Sequence, residues 1–130
     1  MDEYVTVEEG VQEEVEVQQL RPGTSGHTLT VKVVDTKIIW PHCSHMQIAE
    51  SLVGDETAMI VFTSRDDQVD QMKNGSTLIL RNAKIIMYRG SMRLAVDNSG
   101  RIKVADPATF TVKEDNNMSL IEYGVIRVAI

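Results

Sequence analysis

The stretch Leu52-Val53-Gly54-Asp55-Glu56-Thr57-Ala58-Met59-Ile60-Val61-Phe62 constrains what this chain can fold into more than any other. An apolar strand enters a tight polar reversal and leaves as a second apolar strand. Gly54 supplies permissive dihedrals, and Asp55 and Thr57 can bond backbone groups of the reversal, so the stretch reads as a β-hairpin. A short helix is predicted directly after it, over Arg65–Met72. Ser64 is placed as its N-cap, and Asp66 and Asp67 fall in the first turn, where negative charge favours the helix dipole. Asn74-Gly75 supplies a left-handed stop.

The flanking segments have the strand period. Over Gly26–Ile39, Leu29, Val31 and Val33 share one face, and Thr30, Lys32 and Val34 share the other. Trp40-Pro41-His42-Cys43-Ser44-His45 breaks this strand as a loop. Strands two and three are predicted over Gln47–Val53 and Met59–Thr63, and strand four over Thr77–Met87. Arg89-Gly90 turns strand four into Met92–Val96, and Asn98-Ser99-Gly100 turns again before Arg101–Ala105. Ser119–Ile130 alternates enough to predict a further C-terminal strand. Strand, turn, strand, short helix and long strand is the order of an all-β, five-stranded OB-fold barrel, with the helix between strands three and four. Such barrels bind single-stranded nucleic acid more often than they catalyse.

The chain has 130 residues, enough for one domain with a core. Its net charge of −6 argues against nucleic acid until its distribution is considered. Residues 1–20 carry Asp2, Glu3, Glu8, Glu9, Glu13, Glu14 and Glu16 with no Lys or Arg, and the remainder is close to neutral at +1. Residues 1–20 are therefore expected to form a flexible acidic tail, able to compete with phosphates for basic groups. Leu20-Arg21-Pro22-Gly23 marks the boundary, and 21–130 is the domain with its C-terminal extension. Any grip on phosphates should be modest and salt-sensitive. Cys43 is the single cysteine, which fits a reducing compartment, nucleus or cytoplasm. No apolar run approaches transmembrane length, and the acidic start lacks a signal peptide's basic flank, so no membrane partner is expected.

Six pieces in order resemble a family of small plant OB-fold proteins. They are Pro22-Gly23, Val53-Gly54-Asp55-Glu56-Thr57, Asp67-Gln68-Val69-Asp70, Leu80-Arg81-Asn82-Ala83, Gly90-Ser91-Met92-Arg93-Leu94 and Phe110-Thr111-Val112-Lys113-Glu114-Asp115-Asn116-Asn117. That family looks related to archaeal single-stranded-DNA-binding proteins and to the OB domains of replication protein A. The resemblance spans about residues 20–125 and implies a barrel that binds single-stranded DNA or RNA without enzymatic activity. It also shows departures. Where the related binders carry stacking aromatics, at the end of strand three and in mid strand four, this chain has Arg65 and Lys84; the aromatic closing strand four remains as Tyr88. Stacking supplies roughly 1–3 kcal/mol per base, and arginine planes can stack too.

The candidate nucleic-acid-binding residues are Trp40, Phe62, Arg65, Arg81, Lys84, Tyr88, Arg89 and Arg93. Tyr88-Arg89-Gly90-Ser91 places an aromatic beside a cation at the rim where OB-folds meet ligands. The plainer alternative is a solvated barrel face with Tyr88 packed flat. Trp40 serves equally as a core plug, and Phe62 can face either side of its strand. His42-Cys43-Ser44-His45 offers too few separated ligands for a zinc site, so a polar loop is expected and no metal or cofactor. The run Arg21-Pro22-Gly23-Thr24-Ser25-Gly26 lacks the lysine and the following helix of a phosphate loop. No nucleophile–base pairing or carboxylate pair has positional support. The rival to a nucleic-acid binder is an OB subunit of a larger complex, meeting protein partners through the acidic tail or the C-terminal strand.

Overall fold

A computed structural model describes residues 13–40, 46–124 and 126, the side chain of Trp40 excepted. Its strands are β1 (His27–Trp40), β2 (Ile48–Gly54), β3 (Met59–Arg65), β4 (Thr77–Tyr88), β5 (Ser91–Ala95) and β6 (Arg101–Ala105). They run in the order β1-β2-β3-β5-β4-β6, and β1 also pairs with β4, which closes the sheet. β5 and β6 lie antiparallel to successive halves of β4, with Ala95 opposite Lys84 and Arg101 opposite Arg81. They behave as one interrupted strand. The ring therefore has five members, the OB barrel expected from the strand order. No helix among the described residues is long and apolar enough to cross a membrane.

Period-2 alternation decides which residues fill the barrel. Leu29, Val31 and Val33 of β1, Val53 of β2, Ile60 and Phe62 of β3, Leu78 and Leu80 of β4, and Met92 and Leu94 of β5 are all buried in one cluster. Phe62 is therefore core, which removes it from the candidate interface. Both faces of β3 begin apolar, so alternation alone could not choose between Phe62 and its neighbours.

The reversal between β2 and β3 is built around the Asp55 carboxylate, only 5% exposed. Its Oδ1 accepts from the Thr57 N–H (2.9 Å), the Thr57 hydroxyl (2.6 Å) and the Ala58 N–H (3.2 Å). Its Oδ2 accepts from the Val17 N–H at 3.0 Å. Gly54 has no substitute here, since a Cβ would lie 2.5 Å from the Ala58 carbonyl oxygen and 2.7 Å from Val112 Cγ1.

Three expectations change. Residues 13–20 are not a free tail: Val17 and Leu20 are fully buried, and the Val15 N–H donates to the Thr28 carbonyl at 2.9 Å. Charge density dominated the reading of this segment, but Val17 and Leu20 lie on one side of a 3-10 turn (Val17–Gln19) and plug the barrel together. Residues 1–12 lie outside the described ones. The helix between β3 and β4 is a 3-10 helix over Asp66–Gln71, and Ser64 is not its cap but a buried β3 residue donating to the Ala49 carbonyl. The Gln68 side chain instead accepts from the Arg65 N–H at 3.1 Å.

The described part of the C-terminal segment is a strap rather than a strand. A 3-10 turn (Met118–Leu120) seats Ser119 where the barrel closes, and 121–124 continue without a ladder. β3 and β5 meet in parallel only at Phe62 and Leu94. Beside that contact the Ser119 hydroxyl accepts from the Val61 N–H (2.9 Å) and donates to the Met92 carbonyl (2.6 Å), joining the two strands. A side chain thus completes the pairing that backbone alone does not.

Two stability outcomes follow from these contacts. Asp55→Ala leaves buried N–H groups without an acceptor and should cost about 3–5 kcal/mol in urea unfolding; a loss below about 1 kcal/mol would show the carboxylate to be dispensable. Deleting residues 1–20 removes two core side chains and should cost at least about 3 kcal/mol relative to deleting residues 1–12. Equal midpoints for the two truncations would contradict the plug.

Candidate functional site

The outer face of β2, β3, β4 and β5 carries a groove. Alternation on β4 puts Lys84, Ile86 and Tyr88 on this face, and on β3 it puts Thr63 and Arg65 there, opposite to Phe62. Pairing then aligns Ile48 with Arg65, Glu50 with Thr63, and Ile86 with Arg93. With Ile39 from β1 these residues line a cavity of about 340 Å³ bounded by Ile48, Glu50, Thr63, Arg65, Ile86, Tyr88 and Arg93. A second cavity of about 260 Å³ shares Thr63, Arg65 and Ile86 and adds Gln68, Lys84 and Asp97. A third, about 430 Å³, continues over Asp66, Asp67 and Asn98. One continuous groove results, apolar and aromatic at one end and acidic at the other.

Tyr88 is 51% exposed at the first end. The Arg89 guanidinium lies 5.3 Å from its ring centroid and that of Arg93 5.5 Å, both within cation–π range. Arg93 also bonds Glu50, Nε to Oε2 at 3.3 Å, and Lys84 pairs with Asp97 at 3.2 Å. Hydrogen bonds from Ser99, side chain and then backbone, together with Lys84, hold the Asp97 carboxyl down to about 2. A depressed carboxyl stabilises the fold above its ordinary titration range and ceases to do so as pH falls through about 2, so this ion pair persists at neutral pH. Among the described residues no carboxylate lies within ion-pair distance of Arg65 or Arg89.

Arg89 sits at φ +51° and Gly90 at φ +81°, the two central residues of a two-residue hairpin between β4 and β5. Such turns favour Asn, Asp or Gly at the first position, because a side-chain Cβ is strained there. Here an arginine takes that conformation, beside the exposed tyrosine.

The groove therefore gathers Arg65, Lys84, Tyr88 and Arg93, and Arg89 stands at its rim against the Tyr88 ring. Arg81 is not among them: it lies opposite Arg101 on the β6 half of β4 and lines none of these three cavities. Trp40 closes β1 opposite Ile48, but its side chain, like the whole His42-Cys43-Ser44-His45 loop, lies outside the described residues. Ile39, Ile48, Glu50, Thr63, Ile86 and Asp97 were missed. Ile86 was within reach, since it lies midway between Lys84 and Tyr88 at strand spacing.

A closed five-stranded barrel in this strand order, with a short helix between strands three and four, is an OB fold. Residues 20–104 match the model of the single-stranded DNA binding protein Ssb-like, OB-fold family, and the chain belongs to that family. It is 52% identical to an uncharacterized protein of Arabidopsis thaliana, covering 88% of this chain and 83% of that one. It is also similar to the solution structure of a hypothetical protein from Arabidopsis thaliana, with 45% identity, a TM-score of 0.79, and coverage of 99% of this chain and 98% of that one. A replication protein A heterotrimer bound to single-stranded DNA shares the fold at 16% identity and a TM-score of 0.54, over 88% of this chain and 28% of that one.

Replacing Arg89 by Asn relieves the left-handed strain. The variant should gain about 0.5–1 kcal/mol in urea unfolding. An Arg89→Asn protein less stable than the parent would mean that the guanidinium's contact with Tyr88 outweighs the strain.

Proposed function

We propose that this protein binds single-stranded DNA or RNA in the groove, without enzymatic activity, by stacking a base on Tyr88 and setting phosphates against the neighbouring cations. The observation that carries this reading is the half-exposed Tyr88 ring with Arg89 and Arg93 against it, above an apolar floor of Ile39, Ile48 and Ile86. Family membership supports it, as does the fold shared with a replication protein A heterotrimer whose structure holds single-stranded DNA.

The charge layout sets the expected strength. Lys84 and Arg93 are already engaged by Asp97 and Glu50, so a phosphate reaching them exchanges with a carboxylate rather than meeting a free cation. Asp66, Asp67 and Asp97 repel phosphates at the far end. Arg65 and Arg89 are left as the principal phosphate contacts, and affinity should be modest. A second reading, an OB subunit in a protein assembly, draws on exposed apolar side chains beyond the barrel, Leu120 and Ile126 above all.

Fluorescent DNA and RNA oligomers titrated at two salt concentrations test the proposal. Log affinity should fall against log salt with a slope near −1.5, as for about two neutralised phosphates on a single strand. Tyr88→Ala should weaken binding by roughly 1–3 kcal/mol with its thermal midpoint nearly unchanged. No binding of any oligomer at low salt would reject the proposal, and unfolding of Tyr88→Ala would return Tyr88 to the core.

A further inference from the structure

The C-terminal strap leaves the closure of the barrel and comes to rest on the turn that carries the groove's aromatic. Ser119 is its first anchor, bonded to Val61 and Met92. Its second is Tyr123, whose N–H donates to the Gly90 carbonyl at 2.8 Å. The two backbones touch without side chains between them, since a Cβ on Gly90 would lie 2.8 Å from the Tyr123 carbonyl oxygen. Glycine at 90 is thus required twice, by its positive φ and by the strap. The strap lies outside the residues that match the family model.

This docking leaves Tyr123 37% exposed, its backbone in contact with the residue that follows Arg89. A tyrosine with an anchored backbone and only two side-chain torsions loses little entropy on meeting a ligand. Along the turn Arg89 separates Tyr88 from Gly90, the residue on which Tyr123 docks, and the described residues offer Arg89 no carboxylate. One turn thus carries an aromatic and a cation and holds the backbone of a second aromatic. That arrangement suits an unpaired strand, in which two bases can stack on separate platforms while the linking phosphate meets a guanidinium.

We propose that Tyr123 is a second stacking platform, and that a single strand seated on Tyr88 continues across Arg89-Gly90 to reach it. This rests on the nucleic-acid reading above and extends the interface beyond the barrel. The preferred ligand is unpaired and longer than the groove alone would hold.

Polypyrimidine strands of about four and about twelve nucleotides, spanning the site sizes of OB-folds, separate the outcomes. Tyr123→Ala and Tyr123→Leu should weaken the long strand roughly five- to tenfold and leave the short one within about twofold. Tyr123→Phe should bind both like the parent. If Tyr123→Ala matches the parent on the long strand while Tyr88→Ala is weakened, the second platform is wrong and the groove reading stands. If Tyr123→Ala or Tyr123→Leu weakens both lengths alike, or Tyr123→Phe fails to restore binding, Tyr123 only positions the turn, and the proposal falls. Binding of neither length by the parent protein would overturn both readings.

Discussion

The Asp55 carboxylate accepts hydrogen bonds from its own turn, Thr57 and Ala58, and from the distant Val17 N–H at once. Its own carbonyl accepts from the Lys113 N–H at 2.9 Å, bringing in a third. A buried carboxylate is tolerated only when such donors surround it, and donors to an ionised acceptor bind about twice as strongly as neutral ones. Everything else around this turn follows from that hub. It seats the Val17 and Leu20 plug, tightens the β2–β3 hairpin and starts the C-terminal segment on the course that ends at Ser119 and Gly90. The Gly-Asp-Glu-Thr reversal is therefore an architectural device, set apart from the groove.

The groove obeys different rules. Two of its cations are neutralised by Glu50 and Asp97, and one of its turns keeps an arginine where glycine or asparagine would be easier. Features of this kind lower stability or affinity taken singly, and they gather where a surface is tuned rather than merely solvated. Self-pairing also lowers the positive field that Lys84 and Arg93 present to solvent, in a protein of net charge −6.

Legibility differed between elements for physical reasons. The hairpin and the long strands were readable because turn residues and period 2 are local signals; each of the six strands begins and ends within two residues of its expected bounds. The short helix was placed within one residue at each end, but its cap was not found: Ser64 is buried in β3, and Asp66 takes φ +51° and accepts from the Gln47 N–H. Lys84 and Tyr88 were found through the resemblance, at positions where related binders carry aromatics, and strand spacing puts both on one face. Phe62 was not resolved, as an alternating strand has two faces and nothing local says which one the barrel encloses.

What the sequence by itself determined is the set of elements, their order and therefore the barrel, together with the aromatic and the cations near the Arg89-Gly90 turn. Those properties depend on neighbours within a few residues, where dihedral preference and side-chain period act. Tertiary structure alone decided that Val17 and Leu20 plug the core, that Ser119 completes the barrel's closure, that Glu50 and Asp97 temper the groove, and that Tyr123 docks on Gly90. Each of these joins residues far apart in the chain, and their meeting depends on how the closed sheet sets its register, which no local pattern encodes.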